Sequence, residues 1–99
     1  MQIDLSLRNG SLYDGCKIGE VAGRLNLETP PAEAANIVGR NIAKMIEAVP
    51  AGERAECVLT GPMAVWAYLV VFHAVVHCFT KVKYADGRGD PILISQHGS

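Results

Sequence analysis

The start of the chain alternates between apolar and polar side chains in a way that predicts β-structure. Residues 2–8 place three apolar side chains on one face of a half-buried strand. The Asn-Gly pair at positions 9–10 favours a tight turn, so we expect a hairpin into a second strand over residues 12–18. The pattern of residues 19–28, which include two glycines, is compatible with either a strand or a short helical turn.

The segment from Thr29 to Pro50 has the pattern of an amphipathic surface helix. Thr29 is a suitable N-cap residue, and the two prolines that follow it fit the first turn of a helix. Pro50 should end the helix. Apolar residues recur at helical spacing on one side, and these are Val38, Ile42, Met45 and Val49.

The rest of the chain predicts strand, helix, strand, turn and strand in that order. Residues 56–60 have an apolar centre, as expected for a strand in the interior of a sheet. After the Gly61-Pro62 turn comes an apolar segment of 17 residues, 63–79. A membrane span needs about 17–25 residues, so this segment is at the lower limit. Because it carries two histidines and follows a turn, we interpret it as a helix buried in the core or in a dimer interface.

Together these elements predict one small α/β domain over residues 1–99, with a mixed β-sheet and two main helices. A basic strand, a polar turn and a last apolar strand over residues 92–94 complete the sheet. The alternation of strands and helices favours parallel crossover connections. The candidate motifs for function are concentrated in residues 57–97.

Composition adds expectations about assembly and location. Hydrophobic residues make up 49% of the chain and charged residues only 19%, so we expect it to cover apolar surface by forming a homodimer. A net charge of −1 gives no basic field for DNA, so a nucleotide ligand needs a local site. Three widely spaced cysteines without a CxxC pair suggest reduced thiols in the cytoplasm, and the first residues do not have the pattern of a signal peptide.

Two histidines lie in the long apolar segment. His73 and His77 share one helix face, but Ala74 stands where a HExxH zinc protease has its catalytic glutamate. In the middle of the helix, His73 is expected to be packed in the core. His77 lies where the helix ends, so we expect it to reach solvent, where it either has a structural role or transfers a proton near neutral pH.

Two turns have the composition of ligand-binding loops. Thr60 and Gly61 lead a strand into a helix, whose free N–H groups suit an anion. The second turn holds Asp86, Gly87 and Arg88, and it is either a plain polar turn or a phosphate site. In the second interpretation Gly87 lets the backbone approach the ligand, and Arg88 binds the phosphate. Asp86 can then orient a histidine or hold a divalent metal.

The last candidate is His97, which follows Gln96 and is either an idle exposed residue or a ligand contact. Together with His77, Asp86 and Arg88 it fits the cleavage of an RNA-type phosphodiester. That reaction needs a 2′-hydroxyl aligned for in-line attack, charge stabilisation at the phosphorane and a proton for the leaving 5′-oxygen. Arginine and histidine can supply the last two, with or without a metal.

The order of these features resembles the small CRISPR-associated Csx-three family, also called Crn-three. The shared features are a Gly61-Pro62 turn, an apolar helix that ends in His77, the turn Asp86-Gly87-Arg88 and the terminal Ser95-Gln96-His97. Members of that family are ring nucleases that degrade cyclic tetra-adenylate, the second messenger of type III CRISPR antiviral defence. They form dimers that sandwich the cyclic ligand, and they depend on manganese.

The resemblance implies that this chain binds and cleaves a cyclic oligoadenylate as a homodimer, or as a tetramer once the ligand is bound. The catalytic residues are then His77, Asp86 and Arg88, and manganese is held by Asp86 and His97. The remaining expected ligand contacts are Thr60, Gly61, Gly87, Gln96 and His97. Two alternatives stay open: a module that sequesters the same messenger without cleaving it, and a small membrane-associated or structural protein built on the 63–79 helix.

Overall fold

The computed structural model describes residues 1–97, which form six strands, two long helices and one short 3-10 helix. The helices are α1 (Pro31–Glu47) and α2 (Val65–Val76), and the 3-10 helix is Ala51–Glu53. The strands are β1 (Gln2–Asp4), β2 (Ile18–Val21), β3 (Arg24–Leu27), β4 (Glu56–Thr60), β5 (Lys81–Ala85) and β6 (Ile92–Gln96).

A mixed four-stranded sheet with the order β1-β4-β5-β6 forms the centre of the domain. β1, β4 and β5 are parallel, and β6 is antiparallel to β5. β2 and β3 form a separate antiparallel hairpin. The α/β class, the mixed sheet, the two main helices and the parallel crossovers are therefore confirmed, and β4 lies in the interior of the sheet as expected.

One face of the sheet packs against both helices and forms the hydrophobic core. The central residue of β1, two alternate residues of β4 and one residue of β5 are buried there, while their sequence neighbours are not. The two helices also contact each other along their length. The side chains that the sheet contributes are Ile3, Cys57, Leu59 and Val82, and those from the helices are Ala34, Val38, Ile42, Ile46, Ala67, Val71 and Val75.

The face that α1 buries agrees with the prediction in part. Val38 and Ile42 are buried, but Met45 and Val49 are only half-buried at the edge of the core. Thr29 is not the N-cap, because the helix begins at Pro31 after Pro30 and the Thr29 hydroxyl accepts a hydrogen bond from the Lys17 N–H instead, at 2.7 Å.

α2 is buried on one side only, which corrects the expectation of a helix buried all round. Val65 and Leu69 on its outer face are 73% and 63% exposed. His73 is also exposed, so the prediction that it packs in the core is wrong. Among residues 1–97, no helix is long and apolar enough to cross a membrane.

The hairpin expected over residues 9–18 is not formed. Residues 10–15 fold into successive turns, and β2 pairs with β3 rather than with the first strand. The cause is tertiary: the side-chain amide of Asn41 on α1 donates to the carbonyl oxygens of Leu12 and Asp14, at 2.8 and 2.9 Å. The Tyr13 hydroxyl donates to the carbonyl oxygen of Leu5, so the turns close onto the core.

The segment over residues 19–28, for which the sequence left two options, contains most of the β2–β3 hairpin. Its tight turn has positive φ angles at Ala22 (52°) and Gly23 (78°). This is the backbone geometry that two-residue hairpin turns require. Glu28 then donates its N–H to the carbonyl oxygen of Lys17 and closes the base of the hairpin.

The turn between β4 and α2 requires a glycine. Gly61 has a φ of 99°, a conformation that residues with a side chain rarely adopt. A Cβ atom there would overlap Asp4 Oδ1 and lie 3.0 Å from the Ser6 nitrogen. The Asp4 carboxylate cannot easily move aside, because it accepts hydrogen bonds from the Ser6 N–H and hydroxyl, both at 2.9 Å.

We therefore expect Gly61→Ala to lower the free energy of unfolding by at least about 2 kcal/mol, through backbone strain and the clash with Asp4. Urea denaturation measures this change. The matched control is Gly52→Ala, since a Cβ atom at Gly52 meets no atom within 4 Å. If the two variants unfold at the same urea concentration, the close approach of β1 to this turn does not constrain the fold.

Candidate functional site

The direction of the strands divides the candidate residues between two ends of the sheet. β1, β4 and β5 run in parallel, so they all end on the same side, here called the carboxyl end of the sheet. α2 returns from this side to the opposite one, the amino end, and β6 runs the same way because it is antiparallel to β5. Residues that follow β4 and β5 lie at the carboxyl end, and residues that follow α2 and β6 lie at the amino end.

A cavity of about 370 Å³ at the carboxyl end, here called the edge cavity, brings four of the candidate residues together. Its walls include Thr60 and Gly61 after β4, and Asp86 and Gly87 after β5. In open α/β sheets, ligands bind outside the carboxyl ends of the strands. The edge cavity is therefore the first candidate for a binding site. The other lining residues are Pro62, Tyr84 and Ala85.

Arg88 stands exposed beside the edge cavity on a turn that Asp86 shapes. The Arg88 N–H donates to Asp86 Oδ1 at 2.8 Å, and Gly87 between them has a φ of 83°. Within the described residues, the ion pair joins Lys83 and Glu56, and the Arg88 guanidinium forms none with a carboxylate. An unpaired guanidinium on a glycine-containing turn has the donor geometry for a phosphate.

Thr60 and Gly61 have structural tasks in addition to lining the edge cavity. The Thr60 hydroxyl donates to the carbonyl oxygen of Ala85 at 2.8 Å and ties the ends of β4 and β5 together. The carbonyl oxygen of Gly61 accepts a hydrogen bond from the Tyr68 hydroxyl at 2.6 Å. Burial, and then the nearby Tyr84, raise the pKa of Tyr68 to about 12, so its phenol stays neutral and keeps this donor.

His77, Gln96 and His97 lie at the opposite, amino end of the sheet. His77 is the C-cap residue of α2, and its side chain is exposed. The His97 N–H donates to the carbonyl oxygen of Thr80 at 2.7 Å, so the last strand ends close to the end of α2. The structure thus brings the two histidines to one end, and it does not bring them to the edge cavity of the same chain.

The separation between the two ends is set by the length of β5. Thr80 and Asp86 flank this five-residue strand, and at about 3.3 Å per residue they are roughly 15–20 Å apart. Asp86 and His97 therefore do not fit a manganese site in one chain. Among residues 1–97, no group of three or more His, Cys, Asp or Glu side chains is placed to hold a metal ion.

Two arginines that the sequence did not single out also lie at the carboxyl end. Arg8 and Arg24 line a cleft of about 690 Å³ together with Ser6 and with Pro62, which also borders the edge cavity. Both arginines are exposed. No local pattern marks them, because their proximity depends on where the β2–β3 hairpin packs. They add positive charge beside the edge cavity, although the carboxylate of Glu20 lines the same cleft.

Two of the three cysteines are poorly suited to act as nucleophiles. All three are free thiols, and no disulfide is formed among the described residues. Cys57 lies in the core, where burial raises its pKa to about 11 and keeps it protonated. Burial, and then the nearby Glu33, also raise the pKa of Cys16. Thiol chemistry needs the thiolate, so acyl or phosphoryl transfer through Cys16 or Cys57 is disfavoured.

Comparisons of the chain with known protein families, with curated proteins and with solved structures found no match. We therefore infer a function from the residues at the two ends of the sheet and from the motif resemblance carried by residues 57–97. The edge cavity with Arg88 beside it lies at one end of the sheet, and His77 and His97 lie at the other.

Proposed function

We propose that the chain is a homodimeric, cytoplasmic ring nuclease that binds and cleaves a cyclic oligoadenylate such as cyclic tetra-adenylate in antiviral defence. The observation that supports this most is the edge cavity, where the turn after β4 meets Asp86 and Gly87 beside the unpaired guanidinium of Arg88. Arg8 and Arg24 in the adjoining cleft suit further phosphates of the same ring. The order of motifs over residues 57–97 points to the same ligand class.

The reaction follows from these residue types without a metal ion. The 2′-hydroxyl of a ribose gives up its proton to solvent and its oxygen attacks the adjacent phosphorus, so an O2′–P bond forms while the P–O5′ bond breaks. The products carry a 2′,3′-cyclic phosphate and a 5′-hydroxyl. Arg88 stabilises the negative charge on the phosphorane. His77 gives a proton to the leaving 5′-oxygen, and Asp86 positions Arg88 through the turn that they share.

The distance between Arg88 and His77 in one chain means that a second copy has to supply the histidine. β6 is an edge strand of the described sheet. Its residues Ile92, Leu93 and Ile94 are 53%, 49% and 52% exposed. An apolar edge strand with unpaired backbone groups is a template for pairing with another strand. Val65 and Leu69 on the outer face of α2 extend this apolar surface.

A second copy of the chain is the occupant that fits this strand, because self-pairing also completes the site. Antiparallel pairing of two β6 strands about a two-fold axis at Leu93 sets His97 of one copy opposite Gly89 of the other. The amino end of one copy, which carries His77, then adjoins the turn that carries Arg88 in its partner. In this arrangement each dimer contains two composite sites.

A second candidate function, sequestration of the messenger without cleavage, is favoured by the same separation. The edge cavity and the arginines beside it belong to a single chain, so binding does not need a partner. Cleavage does need one, because His77 lies at the other end of the sheet. The two functions therefore differ in whether the second copy is present and correctly paired.

The first prediction separates the roles of His77 and Arg88. We expect His77→Ala to keep most of the affinity for cyclic tetra-adenylate and to lose about 10²–10⁴-fold in cleavage rate. The reason is that His77 takes part only in the proton transfer to the leaving oxygen and not in binding the ring. Arg88→Ala should weaken both binding and cleavage, since it also contacts the ground-state phosphate. Equilibrium binding and single-turnover cleavage measure the two effects.

The control for this pair is His73→Ala, one helical turn away from His77 and also exposed. It should bind and cleave like the wild-type protein. A wild-type cleavage rate for His77→Ala would show that the proposed proton donor is wrong. If no variant and no wild-type protein forms linear product while the ring is bound tightly, sequestration is the function.

The second prediction concerns assembly through β6. Leu93→Glu places two like charges at the proposed two-fold axis, so we expect it to shift the sedimenting species from two chains to one at micromolar concentration. The control is Leu25→Glu on β3, an exposed apolar residue outside this surface. A wild-type protein that sediments as one chain would contradict the proposed dimer.

The third prediction tests whether the site is composite. Mixing inactive His77→Ala and Arg88→Ala chains under conditions that allow exchange should restore about a quarter of the wild-type rate. Half of the randomly formed dimers then contain one chain of each kind, with one of their two sites complete. The control mixture is His77→Ala with the double variant His77→Ala, Arg88→Ala, which should stay inactive. No recovery in the first mixture would contradict a site shared between two chains.

A further inference from the structure

α2 carries a pair of potential metal ligands that the proposed reaction uses only in part. His73 and His77 lie one helical turn apart on the outer face of the helix, and both are exposed. Their rings are in contact, with 5.4 Å between the ring centres and 61° between the ring planes. His77 has a role in the proposed cleavage, whereas His73 has none.

The distance between the two rings suits a shared metal ion. A tetrahedral Zn²⁺ ion bound at about 2.0–2.1 Å by two imidazoles holds their ring centres about 5 Å apart. The observed 5.4 Å is close to this value, so the spacing of the two rings is compatible with binding to one ion. Because the backbone of α2 fixes the spacing, the pair is arranged before the metal binds.

The ligand atoms of the pair and its position at the end of α2 together determine which metal ion would bind. Imidazole nitrogens suit Zn²⁺, Ni²⁺ and Cu²⁺, whereas Mn²⁺ and Mg²⁺ prefer carboxylate and water oxygens. His77 is the C-cap of α2, and the negative end of the helix dipole favours a cation there. With no third ligand grouped around the pair within residues 1–97, the remaining coordination positions are left to water.

We propose that His73 and His77 chelate one borderline transition-metal ion such as Zn²⁺, and that this ion inhibits cleavage by occupying His77. A metal takes the electron pair of one ring nitrogen of His77, so the ring cannot become an imidazolium. The N–H on the other nitrogen of the metal-bound ring is a much weaker acid than an imidazolium, so metal-bound His77 is a poor proton donor for the leaving oxygen. The binding of the metal stands independently of the nuclease. Its inhibitory effect rests on the proposed function.

The binding experiment titrates zinc chloride into the reduced protein and measures the heat released. We expect one zinc ion per chain, with an affinity reduced at least about tenfold in His73→Ala and in His77→Ala. The matched controls are His97→Ala and Cys78→Ser, which should bind like the wild-type protein, and manganese chloride should bind far more weakly than zinc. Wild-type zinc affinity in His73→Ala, or loss of affinity in Cys78→Ser instead, would overturn the site.

The cleavage experiment uses cyclic tetra-adenylate with and without zinc chloride. His73→Ala should cleave at the wild-type rate without zinc, and it should stay active at the zinc concentration that halves the wild-type rate. Equal inhibition of the two proteins would refute the link between the metal pair and cleavage. If the wild-type protein does not cleave the ring at all, the proposed nuclease fails, while the zinc titration still decides whether the two histidines bind the metal.

Discussion

The direction of the chain through β4, α2, β5 and β6 is the constraint on which the rest of the structure depends. A parallel crossover carries the chain along a strand, back along a helix and forward again, so each strand end and each helix end is assigned to one side of the sheet. β6 then returns antiparallel to β5. His77 and Asp86 are near neighbours in sequence, yet the full length of β5 separates them. Any chemistry that combines them has to overcome this separation.

The same crossovers leave the sheet covered by helices on one side only, and this is why the proposed function includes association with a second copy. The core lies between one face of the sheet and the two helices. The other face carries an ion pair between Lys83 and Glu56 at 3.0 Å, and the hydrogen bond from Lys83 lowers the pKa of Glu56. Solvent-exposed pairs of this kind contribute little to stability. The apolar residues of β6 and of the outer face of α2 remain exposed, so this is the surface that would bury the most apolar area against a partner.

The sequence predicted the second half of the chain better than the first, for a physical reason. From β4 to β6, the apolar periodicity, the Gly61-Pro62 turn and the polar turn at Asp86 are local signals, and the elements follow them. In the first half, tertiary hydrogen bonds from Asn41 and to Thr29 override the local turn and cap preferences. His73 was misplaced because the apolar content of α2 does not reveal which of its faces meets the sheet.

The residues of the candidate site could likewise be predicted from the sequence only in part. Residues that directly follow strands were identified, because strand ends are where ligand-binding groups are exposed. The gathering of Arg8 and Arg24 could not be identified, since it depends on how a separate hairpin packs. The sequence also did not reveal that the candidate residues divide between the two ends of the sheet, because this division depends on the direction of β6. The division also has a functional consequence. In the proposed nuclease, phosphate binding and proton transfer belong to different ends of the chain, so the proposed metal ion on α2 would act on the rate of cleavage and would leave the edge cavity free to hold the ring.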